Sequence, residues 1–427
     1  MAKTPRASVI SRLPTFAALH HRDYRYLWTG STFAGMAIWA MIVARGWLVF
    51  HLSDSSSLMV GVVTFAAMIP FIFVTPLGGL LADCFDRRRL VALSYAVNLI
   101  QALLLAILVV TNLVQVWHAI AFAVISGVTR AVMMPSLQAL VPNLVPREDL
   151  LNAVALSGVA MHGSRVGGPG LAAPLLATVG VGGAFLLGVV FYAVGIFLVL
   201  RVQTVSRGEV RSNEGIVRNL TEGLVYSYRH ATIGLIILMV ALHCSLTMSY
   251  ESMLPVFSQK ELGAGGSVFS ILIMATGGGA LAGVLGLASL TSTQWTGWLL
   301  LATGVISGLT PLALAASSTL PLALLAAGGM GASQATFMAI TNTLVQSSVE
   351  DRVRGRVSSM YAMHAGGTMA FANLANGYLA DQWGAPIIFT VSGSLFIGFL
   401  FLFSLSRPTL RQVYRSGKAT PAYAHTT

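Results

Sequence analysis

The chain has 427 residues, of which 9% are charged and 56% hydrophobic, and its mean hydropathy is +0.78. This composition excludes an ordinary soluble protein, whose surface would need many more polar side chains, and favours a protein that lies in lipid. The net charge of +11 does not indicate nucleic-acid binding, because the basic residues lie at the ends of apolar runs without a basic groove or interleaved aromatic side chains. We expect membrane lipid, whose anionic headgroups attract such residues, to be the partner of these charges.

Twelve apolar segments are long enough to cross a bilayer, which takes about 20 residues. In chain order they are 25–50, 58–82, 89–111, 115–141, 150–178, 182–201, 231–257, 267–290, 296–316, 319–346, 356–381 and 385–405. The sequence therefore predicts an all-α membrane protein with twelve transmembrane helices.

Basic residues are concentrated in alternate gaps between these segments. Of the 25 Lys and Arg residues, 21 lie there, and the other four are Arg45, Arg130, Arg165 and Lys260. By the positive-inside rule the basic gaps are cytoplasmic, so both termini are expected in the cytoplasm of a bacterium and the chain in its inner membrane. The gap at 290–296 should also be cytoplasmic but carries no charge.

The longest polar gap between segments divides the chain into halves. We expect an N-terminal six-helix bundle in residues 1–202, a cytoplasmic linker in 203–230, a C-terminal six-helix bundle in 231–406 and a cytoplasmic tail in 407–427. A shift of 204 residues aligns Val141 with Val345 and Phe185 with Phe389, which favours two pseudo-repeats with a substrate site between them. Residues 216–228 have helical character, either along the membrane surface or as a solvated linker helix.

The gap after the second segment contains a recognisable motif. It reads Gly79-Leu-Leu-Ala-Asp83-Cys-Phe-Asp86-Arg87-Arg88-Arg89 and resembles the loop signature G-x-L-a-D-r-x-G-r-R of the major facilitator superfamily. Gly79 is expected to permit close helix approach, and a carboxylate here to bind the N-terminus of another helix. The resemblance implies a cytoplasmic latch between conformations. Cys84 stands where the family usually has Arg, and a topology anchor alone is the alternative.

Further segments resemble the enterobactin-exporter-like branch of this superfamily. They are residues 16–28, Arg130-Ala-Val-Met-Met-Pro135, Leu144-Val-Pro-Arg147, Tyr250-Glu-Ser-Met-Leu-Pro255 and Arg354-Gly-Arg-Val357. The resemblance covers about residues 16 to 405, and it implies proton-driven export of siderophores, drugs or other amphipathic small molecules. Gly167, Gly168 and Pro169 resemble the antiporter Gly-Pro motif, where a helix bends or packs closely; packing alone is the other interpretation.

Four charged residues lie inside predicted spans, where a charge at mid-bilayer costs about 3 kcal/mol and should face a cavity or a partner. Arg45 and Glu251 lie about 20 residues into spans 1 and 7, near their outer ends. We expect an Arg45–Glu251 salt bridge that closes an outer gate. The alternative is that each side chain extends to the outer interface independently.

Glu251 is also a candidate proton site, because it is the one acid well inside a predicted span. His243, two helical turns earlier, is either a proton relay or a hydrogen-bonded core histidine. Arg130 and Arg165 would place positive charge in the N-terminal half of the cavity. They either bind an anionic group of the substrate or hold helix packing.

Other chemistry is not indicated. The sequence contains no nucleotide-binding P-loop, no metal-ligand spacing and no catalytic motif, so no enzyme activity and no cofactor are expected. The expected function is secondary active export of a small amphipathic molecule by alternating access, in exchange for protons, without an obligate protein partner. An importer or lipid flippase of the same fold, or a transporter-like membrane receptor, remains the alternative.

Overall fold

The computed structural model describes residues 14–206, 224–289 and 294–417, and these ranges contain helices and no strands. The helices are α1 (Arg22–Leu52), α2 (Ser57–Cys84), α3 (Arg87–Val110), α4 (Val116–Leu140), α5 (Leu150–Thr178), α6 (Val181–Leu200), α7 (Ala231–Leu246), α8 (Leu254–Lys260), α9 (Gly266–Ala288), α10 (Gln294–Ala315), α11 (Leu320–Ser348), α12 (Asp351–Trp383), α13 (Ala385–Ser406) and α14 (Pro408–Ser416). The basic residues before residue 14, most of the linker and Lys418 lie outside the described ranges.

Helices occupy the predicted apolar segments, mostly within a few residues of the expected bounds. Nine helices in the described ranges are long and apolar enough to cross a membrane. The three predicted segments outside that set are α5, α12 and the pair α7–α8. They carry Arg165, Asn373 and Glu251 respectively. Polar and charged side chains such as these are costly in lipid, so these segments are expected to turn them toward the protein interior.

The segment predicted as one continuous span at 231–257 is broken. Helix α7 ends at Leu246 and α8 begins at Leu254, with Pro255 in its first turn. Helical geometry is disfavoured for the residue before a proline. The side chains of the serines and the threonine in the break also offer the backbone hydrogen bonds that compete with those of a helix. Glu251 therefore lies on non-helical backbone rather than on a helix face shared with His243.

Side chains of two other helices satisfy the backbone of this break. Asn376 Nδ2 donates to the carbonyl oxygen of Ser249 at 3.0 Å, and the Ser252 amide donates to Asn373 Oδ1 at 3.3 Å. Gln334 Nε2 of α11 donates to the carbonyl oxygen of Thr247 at 2.7 Å. Irregular backbone within a membrane is tolerated where the protein supplies such partners.

The same packing relations occur among helices α1–α6 and among α7–α13. Helix α2 packs on α4, α3 on α6 and α1 on α5, while α9 packs on α11, α10 on α13 and α7 on α12. The two sets meet where α2 contacts α12 and where α5 contacts α9. Helix α14, in the predicted tail, packs on α10 and α13 with Leu410, Val413 and Tyr414 buried.

Close packing of α2 on α4 depends on Gly78 and not on Gly79, so the sequence-based assignment was wrong by one residue. A Cβ at Gly78 would overlap the carbonyl oxygen of Ala131, whereas a Cβ at Gly79 would meet no atom of another helix within 4 Å. One residue corresponds to a rotation of about 100° around a helix, and this rotation decides which glycine faces α4.

Gly78→Ala is expected to destabilise the protein and Gly79→Ala is not. The added methyl at position 78 forces α2 and α4 apart, at a cost of about 1–3 kcal/mol. The same methyl at position 79 meets no neighbouring helix and improves helix propensity. The measurement is the thermal unfolding midpoint of the purified protein in detergent. Equal midpoints for the two variants would contradict this packing.

Candidate functional site

The two sets of helices touch mainly toward one end of the bundle. We call this end, which holds the turn at residues 53–56, the α1–α2 end, and the opposite end, with the turn at residues 85–86, the α2–α3 end. Along α2 and α12, a Cβ at Gly377 would contact the Ser57 carbonyl at 2.5 Å, and deeper in the bundle the Phe65 and Phe371 rings lie 5.2 Å apart. Along α5 and α9, Ser270 Oγ donates to the carbonyl oxygen of Pro169 at 2.7 Å.

A carboxylate at the α1–α2 end caps a helix of the other set. Asp381, near the end of α12, accepts hydrogen bonds from the Ser57 amide at 2.6 Å, the Leu58 amide at 3.0 Å and Ser56 Oγ at 2.7 Å. The first amides of a helix lack intrahelical partners and carry partial positive charge. Asp381 therefore joins α12 to the N-terminus of α2 at this end.

The contact of α1 and α5 with α9 at the same end has no carboxylate among its described interactions and is closed by packing. The indole ring of Trp47, near the end of α1, lies against Gly266 at the start of α9. The same ring stacks near Phe269 with centroids 6.5 Å apart. One contact between the helix sets is therefore held by hydrogen bonds to a carboxylate, and the other by aromatic packing.

Positive charge from α4 and α5 meets the α7–α8 break in the middle of the bundle. Arg165 Nη2 donates to Tyr250 Oη, and the Arg165 guanidinium lies over the Trp39 ring at 4.6 Å. The charges that act on the partly buried Glu251 carboxyl are Arg165 first and Arg130 second. We call Arg130, Arg165, Tyr250 and Glu251 the central cluster.

The predicted Arg45–Glu251 salt bridge is not formed, so that pairing was wrong for this structure. Arg45 is only 6% exposed and donates to Ser126 Oγ at 3.1 Å, and its charge interacts with Tyr192. Both partners lie in the first helix set. The prediction assumed a straight seventh span, and the break after Leu246 moves Glu251 off the expected helix face.

Arg45 instead belongs to a polar network that sequence inspection did not find. Ser126 Oγ donates to Gln101 Oε1 at 3.2 Å, Gln101 Nε2 donates to Asn98 Oδ1 at 3.3 Å, and Asn98 Nδ2 donates to Thr129 Oγ1 at 2.8 Å. Pairs of polar residues spaced three apart on α3 and on α4 are the sequence signal. The network holds the buried guanidinium between α1, α3 and α4.

His243 does not reach the central cluster. Its ring is fully buried, Nε2 lies 2.8 Å from Ser307 Oγ, and the ring stacks on Phe337 at 4.3 Å. The structure therefore favours the core-histidine interpretation over the proton relay, because the surrounding side chains come from α10, α11 and α13 rather than from the first helix set.

The Gly-Pro motif serves close packing in a helix that runs unbroken through Pro169. A Cβ at Gly168 would overlap the Met36 carbonyl oxygen of α1, and one at Gly167 would lie 2.5 Å from Met36 Cε. Because Pro169 has no amide, it leaves the Arg165 carbonyl without its helical donor. Gly277 of α9 packs against that carbonyl, where a Cβ would lie 2.8 Å away.

The loop with the latch motif makes its described contacts within the first helix set. Arg87 donates to Asp83 Oδ1 at 3.3 Å, to the Ala139 carbonyl at 3.2 Å and to Ser206 Oγ at 3.1 Å. Asp86, rather than Asp83, caps a helix, accepting from the Arg88 amide at 3.0 Å. Arg88 and Arg89 each lie 3.8 Å from the Asp86 carboxylate.

A cleft runs from the central cluster toward the α2–α3 end. It has a volume of about 280 Å³ and is lined by α1, α3, α4 and α5 with their adjoining residue Val141. Trp39 and Arg130 line its deep end, while Tyr24 and Gln138 lie toward the α2–α3 end. We call it the α1 cleft. Its mixed aromatic, aliphatic and cationic lining suits an amphipathic ligand.

Two features of the candidate site had no clear sequence signal. In the sequence, Asp381 is an acid at the end of a predicted span, and Tyr250 is the residue next to the candidate proton site Glu251. The asparagines of α12, spaced at positions 373 and 376, are the detectable signal for the broken helix that they support.

Comparison with known proteins gives consistent relatives. A profile of the family described as transmembrane secretion effector matches residues 13–419. The multidrug efflux pump Tap of Mycobacterium tuberculosis is 26% identical over 87% of this chain and 90% of that protein. Macrolide efflux protein A of Streptococcus pyogenes is 22% identical over 82% and 88%. The staphyloferrin A transporter of Staphylococcus aureus is 22% identical over 60% of this chain and 65% of that protein.

Solved structures share the fold. A POT family transporter in complex with a thioalcohol-conjugated peptide superposes with a TM-score of 0.73 at 12% identity, covering 91% of this chain and 96% of that one. The nucleoside transporter NupG gives 0.69 at 13% identity, covering 90% and 98%. Together with the family match, which spans nearly the whole chain, they identify the protein as a multi-pass membrane transporter, not an enzyme, that belongs to the transmembrane secretion effector family of the major facilitator superfamily.

Proposed function

We propose that the protein is a secondary active transporter that exports a small amphipathic molecule by alternating access. The observation that carries this proposal is the asymmetry of the bundle: the α1 cleft extends toward the α2–α3 end, whereas Asp381 and Trp47 close the α1–α2 end. Relatives named as a macrolide efflux protein and a multidrug efflux pump support export as the direction, and the relative named as a staphyloferrin A transporter supports a small-molecule cargo.

The proposed architecture has twelve spans in two halves. Helices α1–α6 form the first six, α7 and α8 together form the seventh, and α9–α13 form the rest. The equivalent packing relations in the two helix sets support this division, with bundles at 1–202 and 231–406 joined by a linker at 203–230 and followed by the tail at 407–427. Gly180 and Gly384, which both have positive φ and lie 204 residues apart, are the N-cap residues of α6 and α13.

We assign the α2–α3 end to the cytoplasm of a bacterium and the α1–α2 end to the outer face of its inner membrane. Arg87, Arg88 and Arg89 lie at the α2–α3 end, and the positive-inside rule places such a loop in the cytoplasm. In this orientation the described conformation faces inward. Export then requires the outer contacts to open after cargo has entered from the cytoplasm.

Exchange for protons is assigned to Glu251. The carboxyl lies in the α7–α8 break, beside positive charge from the opposite half, so its environment changes when the halves rock. Burial away from water disfavours its ionised form, whereas the positive charges of Arg165 and Arg130 favour it, so a movement that admits water or separates these charges changes its affinity for a proton. Releasing a proton to the cytoplasm before cargo loads is the step that an exchanger requires.

Glu251→Gln is expected to abolish proton-linked efflux while leaving cargo binding intact, because the amide is nearly isosteric but cannot ionise. The measurement is efflux from proteoliposomes under an imposed pH gradient, with Glu261→Gln, at the exposed end of α8, as the matched control. Unchanged pH dependence in Glu251→Gln would refute the assignment.

Asp381→Asn is expected to weaken outer closure. The substitution removes the ionic cap on α2, which contributes about 1 kcal/mol and therefore shifts the inward-to-outward ratio about fivefold. Spin labels at positions 52 and 382, with Cys84 and Cys244 replaced by serine, report the separation of the outer ends. A larger fraction of long distances is expected in the variant.

Asp54→Asn is the matched control for that measurement, because Asp54 is an exposed acid in the neighbouring α1–α2 turn. It should leave the distance distribution unchanged. If both variants or neither shifted the distribution, Asp381 would not hold the outer contact.

The direction of transport is tested with energised inside-out vesicles that contain the protein. An exporter accumulates cargo in them, an importer depletes it, and a receptor does neither. A lipid flippase would instead move a fluorescent lipid between leaflets, and that result would replace the proposed cargo class.

A further inference from the structure

Most polar groups that line the α1 cleft are already bonded to the protein. Tyr24 Oη donates to the Ala153 carbonyl at 2.7 Å, and Trp28 Nε1 donates to the Leu156 carbonyl at 2.8 Å. Tyr95 Oη donates to Ser31 Oγ at 3.3 Å. These side chains therefore offer a ligand their aromatic faces rather than their hydrogen-bonding groups.

The serines of α5 are bonded in the same way. Ser157 Oγ donates to the Ala153 carbonyl at 2.9 Å, and Ser164 Oγ donates to the Thr32 carbonyl at 2.9 Å. The α5 wall consequently behaves as an apolar surface although its sequence contains hydroxyl groups. Residues other than these aromatic side chains and serines must therefore supply any hydrogen bonds that discriminate between ligands.

Three polar side chains that line the cleft have no hydrogen-bonding partner among the described residues: the partly buried Trp39 and the exposed pair Arg130 and Gln138. Arg130 and Gln138 both lie on α4, eight positions apart, which corresponds to about 12 Å along the helix axis. Arg130 lies at the deep end, where its guanidinium is 5.9 Å from the Phe71 ring centroid. Its hydrogen-bond donors remain available to a ligand.

The charges of the central cluster do not balance. Arg165 is engaged by Tyr250 and Trp39, and Glu251 supplies one negative charge against the two guanidinium groups. With Glu251 ionised, the cavity therefore keeps one positive charge in excess. A ligand with a single negative charge neutralises the cavity as it closes, whereas a cationic ligand would add to the excess.

We propose that the cargo is a monoanionic amphipath whose acidic group binds Arg130 and whose apolar body lies in the α1 cleft. A neutral polar group about 12 Å from the acid would meet Gln138. This inference rests on the proposed function, since it takes the α1 cleft as the place where the exported molecule binds. It separates the roles of the two arginines: Arg130 contacts cargo, and Arg165 joins the two halves.

A matched set of three probes with the same pyrene body tests the charge preference. Pyrenebutyrate is negatively charged, pyrenebutanol is neutral and pyrenebutylamine is positively charged. Energy transfer from tryptophan to pyrene reports binding in nanodiscs, because Trp28 and Trp39 line the cleft. The wild type is expected to bind the anion at least about tenfold more tightly than the alcohol and to bind the amine least.

Arg130→Gln is expected to bring the affinities for the anion and the alcohol to within about twofold, and Arg130→Lys to retain much of the preference. Arg201→Gln, at the exposed C-terminal end of α6, is the matched control and should keep the full preference. Retained binding of the alcohol shows that each variant is folded. Equal affinities in the wild type, or an undiminished preference in Arg130→Gln, would overturn the proposal.

The vesicle assay separates this inference from the proposed function. A protein that prefers the anion but accumulates nothing in energised inside-out vesicles contradicts export alone. A protein that accumulates cargo without a charge preference contradicts the assignment of Arg130 alone.

Discussion

The rest of the structure depends on the need to keep guanidinium groups away from lipid. Arg45, Arg130 and Arg165 lie well inside α1, α4 and α5, and each is turned toward another helix or the cleft. This requirement fixes how α1, α4 and α5 are rotated. The cleft follows from that rotation, because an exposed Arg130 needs space in which water or a ligand can reach it.

The two contacts between the helix sets have different chemistry. Asp381 binds α2 through charge and three hydrogen bonds, whereas Trp47 and Gly266 hold α1 against α9 by packing. A carboxylate exposed to water can exchange its partners for solvent at little cost, while a buried aromatic contact must separate as a unit.

Sequence reasoning located the helices well and the site only in part. It selected Arg165, Glu251 and Arg130, whose roles stay predictions, and the charges of both arginines act on the Glu251 carboxyl. It failed on the Arg45–Glu251 pair because it treated residues 231–257 as one straight helix. It also placed the close α2–α4 contact at Gly79 instead of Gly78, since the apolar pattern of a fully embedded helix leaves its rotation poorly defined.

The sequence by itself determined the membrane class, the bounds of nearly every helix and the identity of the charges inside the spans. These properties depend on local hydropathy and on the cost of placing a charge in lipid, and both can be read along the chain. Only the tertiary structure decided that Arg165 pairs with Tyr250, that Arg45 stays within its own half and that Asp381 caps α2. Such contacts depend on helix rotation, the α7–α8 break and separations of a few ångström between residues far apart in the chain.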